Sequence, residues 1–237
     1  MIKAVIWDYD GTLVDTHIKN LNVTRKIIEH ITGKIPENIH PLNNLSNYRI
    51  VTKNAKNWRT LYKNEFDLNE NEIDQAGKLW SEFQLKDETD VPFYDGIIEV
   101  IKSLKKYPHG IVSQNSRENI RQFLQKTTML KYFKSILGYE EVGSSKQKPE
   151  PDGLIKCISE LVPHIKGIVI YIGDHETDIR SAINANKVFK ENGSNLKVIS
   201  IGAFYDADTN ISEWRIQPDF VADRVEDIIK IIEMVEL

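Results

Sequence analysis

An apolar run, Ile2-Lys3-Ala4-Val5-Ile6-Trp7, leads directly into the polar stretch Asp8-Tyr9-Asp10-Gly11-Thr12-Leu13. The run is short and rich in branched aliphatic residues, and it stops at acidic residues and a glycine, which predicts a fully buried strand. Side chains two residues apart on an extended chain point the same way, so Asp8 and Asp10 should leave the strand end together. Gly11 allows the backbone to turn there and to approach a ligand closely. A turn rich in Asp and Gly without any function explains the same residues equally well.

Further short apolar runs follow and alternate with amphipathic segments. This alternation predicts a parallel sheet covered by helices on both faces, an α/β fold of the Rossmann-like type with three layers. In such folds the ligand binds beyond the carboxyl ends of the strands. The predicted strands are Ile2–Trp7, Gly110–Ser113, Ser135–Leu137, Gly167–Ile172, Lys197–Ile201 and Asp219–Val221. The predicted helices between them are Gly96–Tyr107, Arg117–Gln125, Pro151–Val162, Thr177–Ala185 and Arg224–Val235.

One block of the chain interrupts this alternation. From about residue 16 to residue 90 the pattern is helical throughout, with predicted helices over His17–Ile31, Tyr48–Phe66 and Asn71–Leu85. We therefore predict an α/β core made of residues 1–15 and 91–237. A helical domain of residues 16–90 would be inserted directly after the first strand.

Composition narrows the classes of function. The chain has 237 residues and a formal net charge of −4, so no overall basic field suggests a nucleic acid as partner. The single cysteine, Cys157, excludes an intramolecular disulfide framework and any site made of several cysteines. The first apolar run is too short for a signal peptide or a membrane span. We expect a cytoplasmic protein without a membrane partner, and the sequence does not fix its oligomeric state.

Polar residues follow other predicted strands as well. Ser113-Gln114-Asn115-Ser116 follows the second strand, Lys148-Pro149 follows the third, and Gly173-Asp174 follows the fourth, with Asp178 four residues further on. These segments would place several carboxylates, one ammonium and several neutral donors at one edge of the sheet. Carboxylates so close together repel one another unless a hard divalent cation such as Mg²⁺ binds between them. The set suits phosphoryl transfer.

In this order the motifs resemble those of a known family. Asp8-x-Asp10-Gly11-Thr12, Ser113, Lys148 and Gly173-Asp174-x-x-x-Asp178 look like the four motifs of the haloacid dehalogenase superfamily. The resemblance covers the whole predicted core, and the helical block matches the position of that family's α-helical cap. It is closest to subfamily I, with its phosphoglycolate phosphatase-like and β-phosphoglucomutase-like proteins.

The resemblance implies a role for each motif residue. Asp8 would attack phosphorus and form an aspartyl-phosphate, and Asp10 would act as the general acid and base. Asp8, the backbone carbonyl of Asp10 and Asp174 would hold Mg²⁺, with Asp178 ligating through water or orienting Lys148. The phosphoryl oxygens would be bound by the N–H groups of Tyr9, Asp10 and Gly11, by the side chains of Ser113 and Asn115, and by the Lys148 ammonium.

The predicted function is a Mg²⁺-dependent phosphatase, similar to phosphoglycolate phosphatase, that acts on a small phosphorylated metabolite. Asp10 favours phosphate esters, because family members that cleave carbon–halogen bonds or phosphonates lack an acid at this position. Two alternatives stay open. The first is a phosphosugar mutase similar to β-phosphoglucomutase. The second is a regulatory or binding protein that keeps the fold without turnover.

A row of cations marks the second predicted helix of the inserted block. Arg49, Lys53, Lys56, Arg59 and Lys63 recur at helical spacing over Tyr48–Phe66 and would form one stripe. The stripe could recognise a second anionic group of the substrate. A solvated helix face that packs its opposite side is the alternative interpretation.

Overall fold

The computed structural model describes residues 1–55, 58–163, 166–206 and 214–237. The chain divides into two compact units: unit 1 contains residues 1–15 and 93–237, and unit 2 contains residues 16–92. Each unit has a hydrophobic core of its own. Tyr171 and Leu154 lie in the core of unit 1, while Ile27 and Tyr62 lie in the core of unit 2. Separate cores are what two structural domains require.

A parallel sheet forms the centre of unit 1. Its strands are β1 (Ile2–Trp7), β2 (His109–Val112), β3 (Phe133–Leu137), β4 (Lys166–Gly173), β5 (Asn195–Ala203) and β6 (Phe220–Ala222). They lie in the order β3-β2-β1-β4-β5-β6, and every neighbouring pair is parallel. This arrangement confirms the predicted Rossmann-like α/β fold.

The strand order reverses between β1 and β4. From β1 the chain proceeds outward through β2 and β3 on one side, and it then returns to continue from β4 on the other side. Helices on diverging connections leave a crevice at such a point, at the carboxyl ends of the two central strands. Asp8 directly follows β1, and its N–H donates to the Ile172 carbonyl of β4 at 2.8 Å. The first acidic motif therefore begins at the reversal point.

The helices are numbered along the chain. Unit 2 contains α1 (His17–Thr32), α2 (Leu45–Asn54), α3 (Trp58–Phe66) and α4 (Glu70–Lys86). Unit 1 contains α5 (Ile97–Ser103), α6 (Arg117–Lys126), α7 (Asp152–Leu161), α8 (Glu176–Glu191) and α9 (Asp227–Glu236). Short 3-10 turns cover Pro36–Asn38, His40–Leu42, Leu130–Tyr132, Tyr139–Glu141 and Ser144–Lys146. Among the described residues, no helix is long and apolar enough to cross a membrane.

The prediction of a single helix over Tyr48–Phe66 is wrong. Helix α2 ends at Asn54, the backbone of the following residue, Ala55, is extended with φ −74° and ψ 132°, and α3 starts at Trp58. Asn54 and Asn57 flank this break in the sequence, and asparagine favours helices less than most residues do. The predicted cationic stripe is therefore divided between two helices.

The cations of α3 pair with acidic residues of α4. Arg59 contacts Asp74 at 2.7 Å and Glu70 at 3.0 Å, and Lys63 contacts Glu70 at 3.0 Å. These are exposed ion pairs within unit 2, which supports the interpretation as a solvated face for these two cations. Lys56, a third member of the predicted stripe, lies outside the described residues.

Helix α8 is longer than the predicted Thr177–Ala185, because it continues to Glu191. Asn186 lies inside this extension, and both the nitrogen and the oxygen of its side-chain amide form hydrogen bonds with strand β5. Its Nδ2 donates to the Val198 carbonyl at 2.8 Å, and its Oδ1 accepts from the Val198 N–H at 2.7 Å. The paired hydrogen bonds fix α8 against the sheet. Helix α5 is shorter than predicted and ends at Ser103 instead of Tyr107.

Candidate active site

A buried ammonium group joins two of the motif carboxylates. The Lys148 Nζ lies 2.6 Å from Asp8 Oδ1 and 2.6 Å from Asp178 Oδ1. The three side chains are nearly inaccessible to solvent, with exposed fractions of 6% for Lys148, 10% for Asp8 and 1% for Asp178. Charges buried this deeply are tolerated only when they are paired and hydrogen-bonded. Residues that are 140 positions apart in the chain thus form one ionic centre.

Asp178 is fixed in place by donors from β4 and from the start of α8. Its Oδ1 accepts from the Tyr171 hydroxyl at 3.0 Å, and its Oδ2 accepts from the His175 N–H at 3.1 Å. His175 caps α8, since its Nδ1 accepts from the Thr177 N–H, and Asp178 completes the capping box. Both oxygens of Asp178 are therefore held within the protein, which makes it an orienting partner for Lys148.

Asp174 lies at the carboxyl end of β4 beside the first motif. Its Oδ1 accepts from the Thr12 hydroxyl at 3.0 Å. Gly11 has a φ of +78°, and a Cβ added there would lie 2.2 Å from Asp174 Oδ2. Only glycine both adopts this conformation readily and leaves room for the carboxylate. The close approach of the Gly11 backbone therefore requires the glycine that the sequence contains.

The acidic side chains fit a hard cation. One oxygen from each of Asp8, Asp174 and Asp178 lies within 4.8 Å of the other two, in the part of the chain that the structure describes. Asp8 Oδ2 and Asp174 Oδ2 accept no hydrogen bond from any described residue, whereas both oxygens of Asp178 do. An oxygen-only donor set of this kind suits Mg²⁺. Asp8 and Asp174 could therefore offer free oxygens to a cation more readily than Asp178 could.

Asp10 contacts the residues that follow β2. The Asn115 Nδ2 donates to both carboxylate oxygens of Asp10, at 3.1 and 3.0 Å, and the Ser113 hydroxyl lies 3.5 Å from Asp10 Oδ2. The Asn115 Oδ1 accepts from the N–H of Ser116 and from the Asn119 side chain, which fixes the orientation of the amide. Ser113 and Asn115 were predicted to bind phosphate, but in this structure their side chains contact the predicted general acid.

The backbone of the first motif is partly engaged within its own turn. The Gly11 N–H was predicted to bind a phosphoryl oxygen, but it donates to the Val14 carbonyl at 2.9 Å. The Tyr9 carbonyl accepts from Leu13 and Val14, and the Tyr9 ring is buried at 6.0 Å from the Phe123 ring. The turn is therefore held by local hydrogen bonds and by the packing of Tyr9.

Burial and mutual repulsion perturb the acids of this site. Burial raises the pKa of Asp8 to about 7 against the opposing effect of Lys148, and Asp178 raises it further. Burial and the nearby Asp8 raise the pKa of Asp174 well above its usual range. Burial alone would lower the pKa of Lys148, but Asp178 and Asp8 hold it well above the ordinary value. Additional positive charge would stabilise the ionised acids of this centre.

Sequence reasoning missed three residues that support these groups. Tyr171 lies in the middle of an apolar strand, where a tyrosine is typical of core packing. Thr12 belongs to the first motif, but only the structure shows its bond to Asp174. Tyr205, beyond β5, donates its hydroxyl proton to the Thr12 carbonyl. No spacing rule connects these positions, because each partner comes from a distant part of the chain.

Comparison with known proteins gives one family match. A family model described as "Haloacid dehalogenase-like hydrolase" matches residues 5–189. The matched range contains all the motif residues discussed above.

Curated relatives match over nearly the full length. A pyrophosphatase PpaX from Listeria monocytogenes serotype 4a is 27% identical over 239 residues, covering 98% of this chain and 96% of the relative. A pyrophosphatase PpaX from Oceanobacillus iheyensis is 25% identical over 234 residues, covering 98% and 97%.

Solved structures share the fold. A protein described as a predicted phosphoglycolate phosphatase from Haemophilus somnus 129PT aligns with a TM-score of 0.73 at 18% identity, covering 98% of each chain. A predicted phosphatase from Clostridium acetobutylicum aligns with a TM-score of 0.73 at 19% identity, covering 99% of each chain.

Proposed function

The chain belongs to the haloacid dehalogenase-like hydrolase family, and on that premise we propose that it is a Mg²⁺-dependent phosphatase acting on a small phosphorylated metabolite. One observation carries the proposal: the buried Lys148 ammonium joins Asp8 to Asp178, with Asp174 alongside. This arrangement keeps one carboxylate oxygen beside a fixed positive charge in a site shielded from water. Both features favour phosphoryl transfer to that oxygen, because a fixed positive charge acts more strongly where water is excluded.

In the first half of the reaction, an oxygen of Asp8 forms a bond to phosphorus while the bond from phosphorus to the leaving oxygen breaks. Lys148 offsets the negative charge shared by the carboxylate and the phosphoryl group. Asp10 supplies a proton to the leaving oxygen, so the product departs as an alcohol. The enzyme is left with an aspartyl-phosphate at Asp8.

In the second half, Asp10 takes a proton from a water molecule, whose oxygen attacks phosphorus. The bond between phosphorus and the Asp8 oxygen breaks, which releases inorganic phosphate and restores both carboxyl groups. Asn115 supports both halves by holding the two oxygens of Asp10 at 3.1 and 3.0 Å. We therefore assign Asn115 to the positioning of the general acid and base.

Asp8 and Asp174 would hold the metal, with Asp178 contributing through water or through its hold on Lys148. A bound Mg²⁺ would neutralise charge on the carboxylates and on the phosphoryl oxygens. The raised pKa values of Asp8 and Asp174 support this assignment, because both acids lie in a buried site that lacks enough positive charge.

The curated relatives favour a second substrate class. They are named pyrophosphatases and match this chain over nearly its full length, so inorganic pyrophosphate stands beside phosphate monoesters as a candidate substrate. Transfer to Asp8 would then release phosphate in place of an alcohol. The same side chains serve both reactions.

The test is a release assay for inorganic phosphate, run with Mg²⁺ on phosphoglycolate, pyrophosphate, hexose phosphates and para-nitrophenyl phosphate. We expect hydrolysis of at least one small substrate, and loss of at least about a thousandfold in Asp8→Asn. Asp90→Asn, which removes an exposed carboxylate of unit 2, serves as the matched control and should keep full activity. Isomerised hexose phosphate without net phosphate release would establish the mutase instead. An Asp8→Asn protein as active as the wild type would contradict the proposal.

A further inference from the structure

A pocket lies in unit 1 at the amino ends of the strands, whereas Asp8 lies at their carboxyl ends. It is formed by residues 105–109 together with Lys131, Tyr132 and Lys134, and its cavity volume is about 390 Å³. We call it the lysine pocket. His109 begins β2, and Lys131 and Tyr132 immediately precede β3, so the pocket lies at the amino ends of these strands. Four residues of β2 span roughly 13 Å, which separates the pocket from the catalytic edge.

The lysine pocket concentrates positive charge in a protein whose net charge is −4. Of its four lysines, Lys106 pairs with Glu236 at 2.9 Å. Among the described residues, no acidic side chain pairs with the other three, Lys105, Lys131 and Lys134. Like charges gathered around one concave surface repel one another, and a bound anion would relieve that repulsion.

Tyr107 contributes a buried aromatic ring to the wall of the pocket, with the Lys106 Nζ 4.8 Å from the ring centre. It is only 7% exposed, and it lines the pocket. Its hydroxyl lies near Lys106 and Glu236 and is enclosed by the protein. The ring therefore shapes the pocket, and the lysines supply its charge.

His109 is already saturated with hydrogen bonds. Its Nδ1 accepts from the Trp7 Nε1 at 3.0 Å, and its Nε2 lies 3.2 Å from the Leu104 carbonyl. The polar side-chain groups of the pocket that remain for a ligand are therefore the lysine ammoniums. All of these can donate hydrogen bonds to anionic oxygens.

We propose that the lysine pocket binds a small oligophosphate anion, such as a diphosphate or the phosphate chain of a nucleotide. A single phosphate group carries about −1.5 to −2 charges at neutral pH, so three ammonium groups without an acidic partner among the described residues match a chain of two or more phosphates. The volume falls at the lower end of the range for small-molecule sites, roughly 300–1,000 Å³, which favours a small ligand over an extended polymer. This site is distinct from the one that holds Asp8 and Asp174.

The first test is binding of methylenediphosphonate, which cannot be hydrolysed, to the full chain in the presence of EDTA. Backbone amide shifts in NMR spectra should change in residues 105–109 and 131–134. The double variant Lys131→Ala/Lys134→Ala should bind about tenfold or more weakly at this site. Both lysines are exposed, so the fold should tolerate the change, and hydrolysis of para-nitrophenyl phosphate should be unaffected.

The matched control is Lys126→Ala/Lys190→Ala, which changes the net charge equally with two exposed lysines outside the pocket. It should bind as tightly as the wild type.

Two ligand sources are distinguished by comparing methylenediphosphonate with the β,γ-imido analogue of ATP. Equal affinity points to the phosphate chain alone, and tighter binding of the nucleotide points to added contact with its base; both support the site. Shifts confined to the catalytic edge, equal weakening in the control variant, or binding of an RNA oligonucleotide without binding of the diphosphonate would overturn it.

Discussion

The Lys148 ammonium lies between Asp8 and Asp178, and neighbouring hydrogen-bond donors hold the acids of the site in place. Asp178 is held by the Tyr171 hydroxyl at 3.0 Å and by the His175 N–H at 3.1 Å. Asp10 is held by Asn115. At the scale of single residues, supporting hydrogen bonds of this kind determine whether charged groups meet the substrate in a productive orientation.

Tyr171→Phe tests whether the hydrogen bond from Tyr171 to Asp178 helps to position Lys148. The change removes one of the hydrogen bonds to Asp178, so we expect kcat to fall about fivefold with little change in KM, and stability to fall by about 1 kcal/mol. Tyr48→Phe is the matched control, since Tyr48 is also buried and pairs with Thr24 at 2.9 Å in unit 2. It should lose similar stability and keep its kcat. Equal kcat values in the two variants would show that Tyr171 serves stability alone.

Asn115→Ala tests the support of the general acid. Loss of the amide should slow hydrolysis of an alkyl phosphate about tenfold or more, because an alkoxide leaving group needs a proton. Para-nitrophenyl phosphate should be affected less, since its leaving group is already a stable anion. Steady-state kinetics on both substrates measures the difference, with the exposed Asn192→Ala as control. An equal loss on both substrates would argue that Asn115 binds the phosphoryl group instead.

At the scale of secondary-structure elements, β1 and β2 are joined by a buried side-chain hydrogen bond in addition to their backbone pairing. The Trp7 Nε1, at the end of β1, donates to His109 Nδ1, at the start of β2, at 3.0 Å. An indole N–H can only donate, so His109 Nδ1 carries no proton and its Nε2 donates to the Leu104 carbonyl. This link requires a neutral imidazole.

The link makes stability depend on pH. Burial lowers the pKa of His109 from 6.5 to about 4, so the unfolded chain binds the proton more tightly than the folded one. The free energy of unfolding should therefore decrease as pH falls from about 6.5 to 4, by about 3 kcal/mol from this group. Urea unfolding at several pH values checks this, with His109→Gln as the comparison. The variant should lose less stability over that window, and identical losses would refute the assignment.

Strands and helices could be predicted from the sequence more readily than the points where helices end or the hydrogen bonds that orient the site residues. The strand ends could be placed together because alternation implies a parallel sheet, whose carboxyl ends share one edge. The end of α2 at Asn54 could not be predicted, because asparagine only weakly disfavours a helix and the apolar pattern continues past it. The orientation of Asn115 toward Asp10 depends on partners in α6, and Tyr171 cannot be told from a packing residue until Asp178 is placed beside it.

At the scale of the whole molecule, unit 1 contains all the proposed catalytic side chains, gathered where the strand order reverses. Buried carboxylates that repel one another destabilise this edge of the fold, and a bound cation offsets that cost. Metal binding and folding should therefore be coupled.

Mg²⁺ should stabilise the wild type, by about 2.7 kcal/mol at a concentration of 100 Kd. Asp174→Asn removes one ligand and one charge, so it should be at least as stable as the wild type in EDTA but gain little from Mg²⁺. Thermal unfolding with EDTA and with Mg²⁺ measures both effects, and Asp90→Asn should respond as the wild type does. An equal Mg²⁺ gain in Asp174→Asn would place the metal elsewhere.

The most direct measurement is chemical trapping of the acyl phosphate during turnover. The enzyme is mixed with a substrate that it hydrolyses, and the reaction is quenched rapidly. The protein is then treated with sodium borohydride, which reduces an aspartyl-phosphate to homoserine. Peptide mass spectrometry should then find homoserine at position 8, only when substrate is present, and not in Asp8→Asn. Homoserine at another aspartate, or none at position 8 while phosphate is being released, would contradict transfer of the phosphoryl group to Asp8.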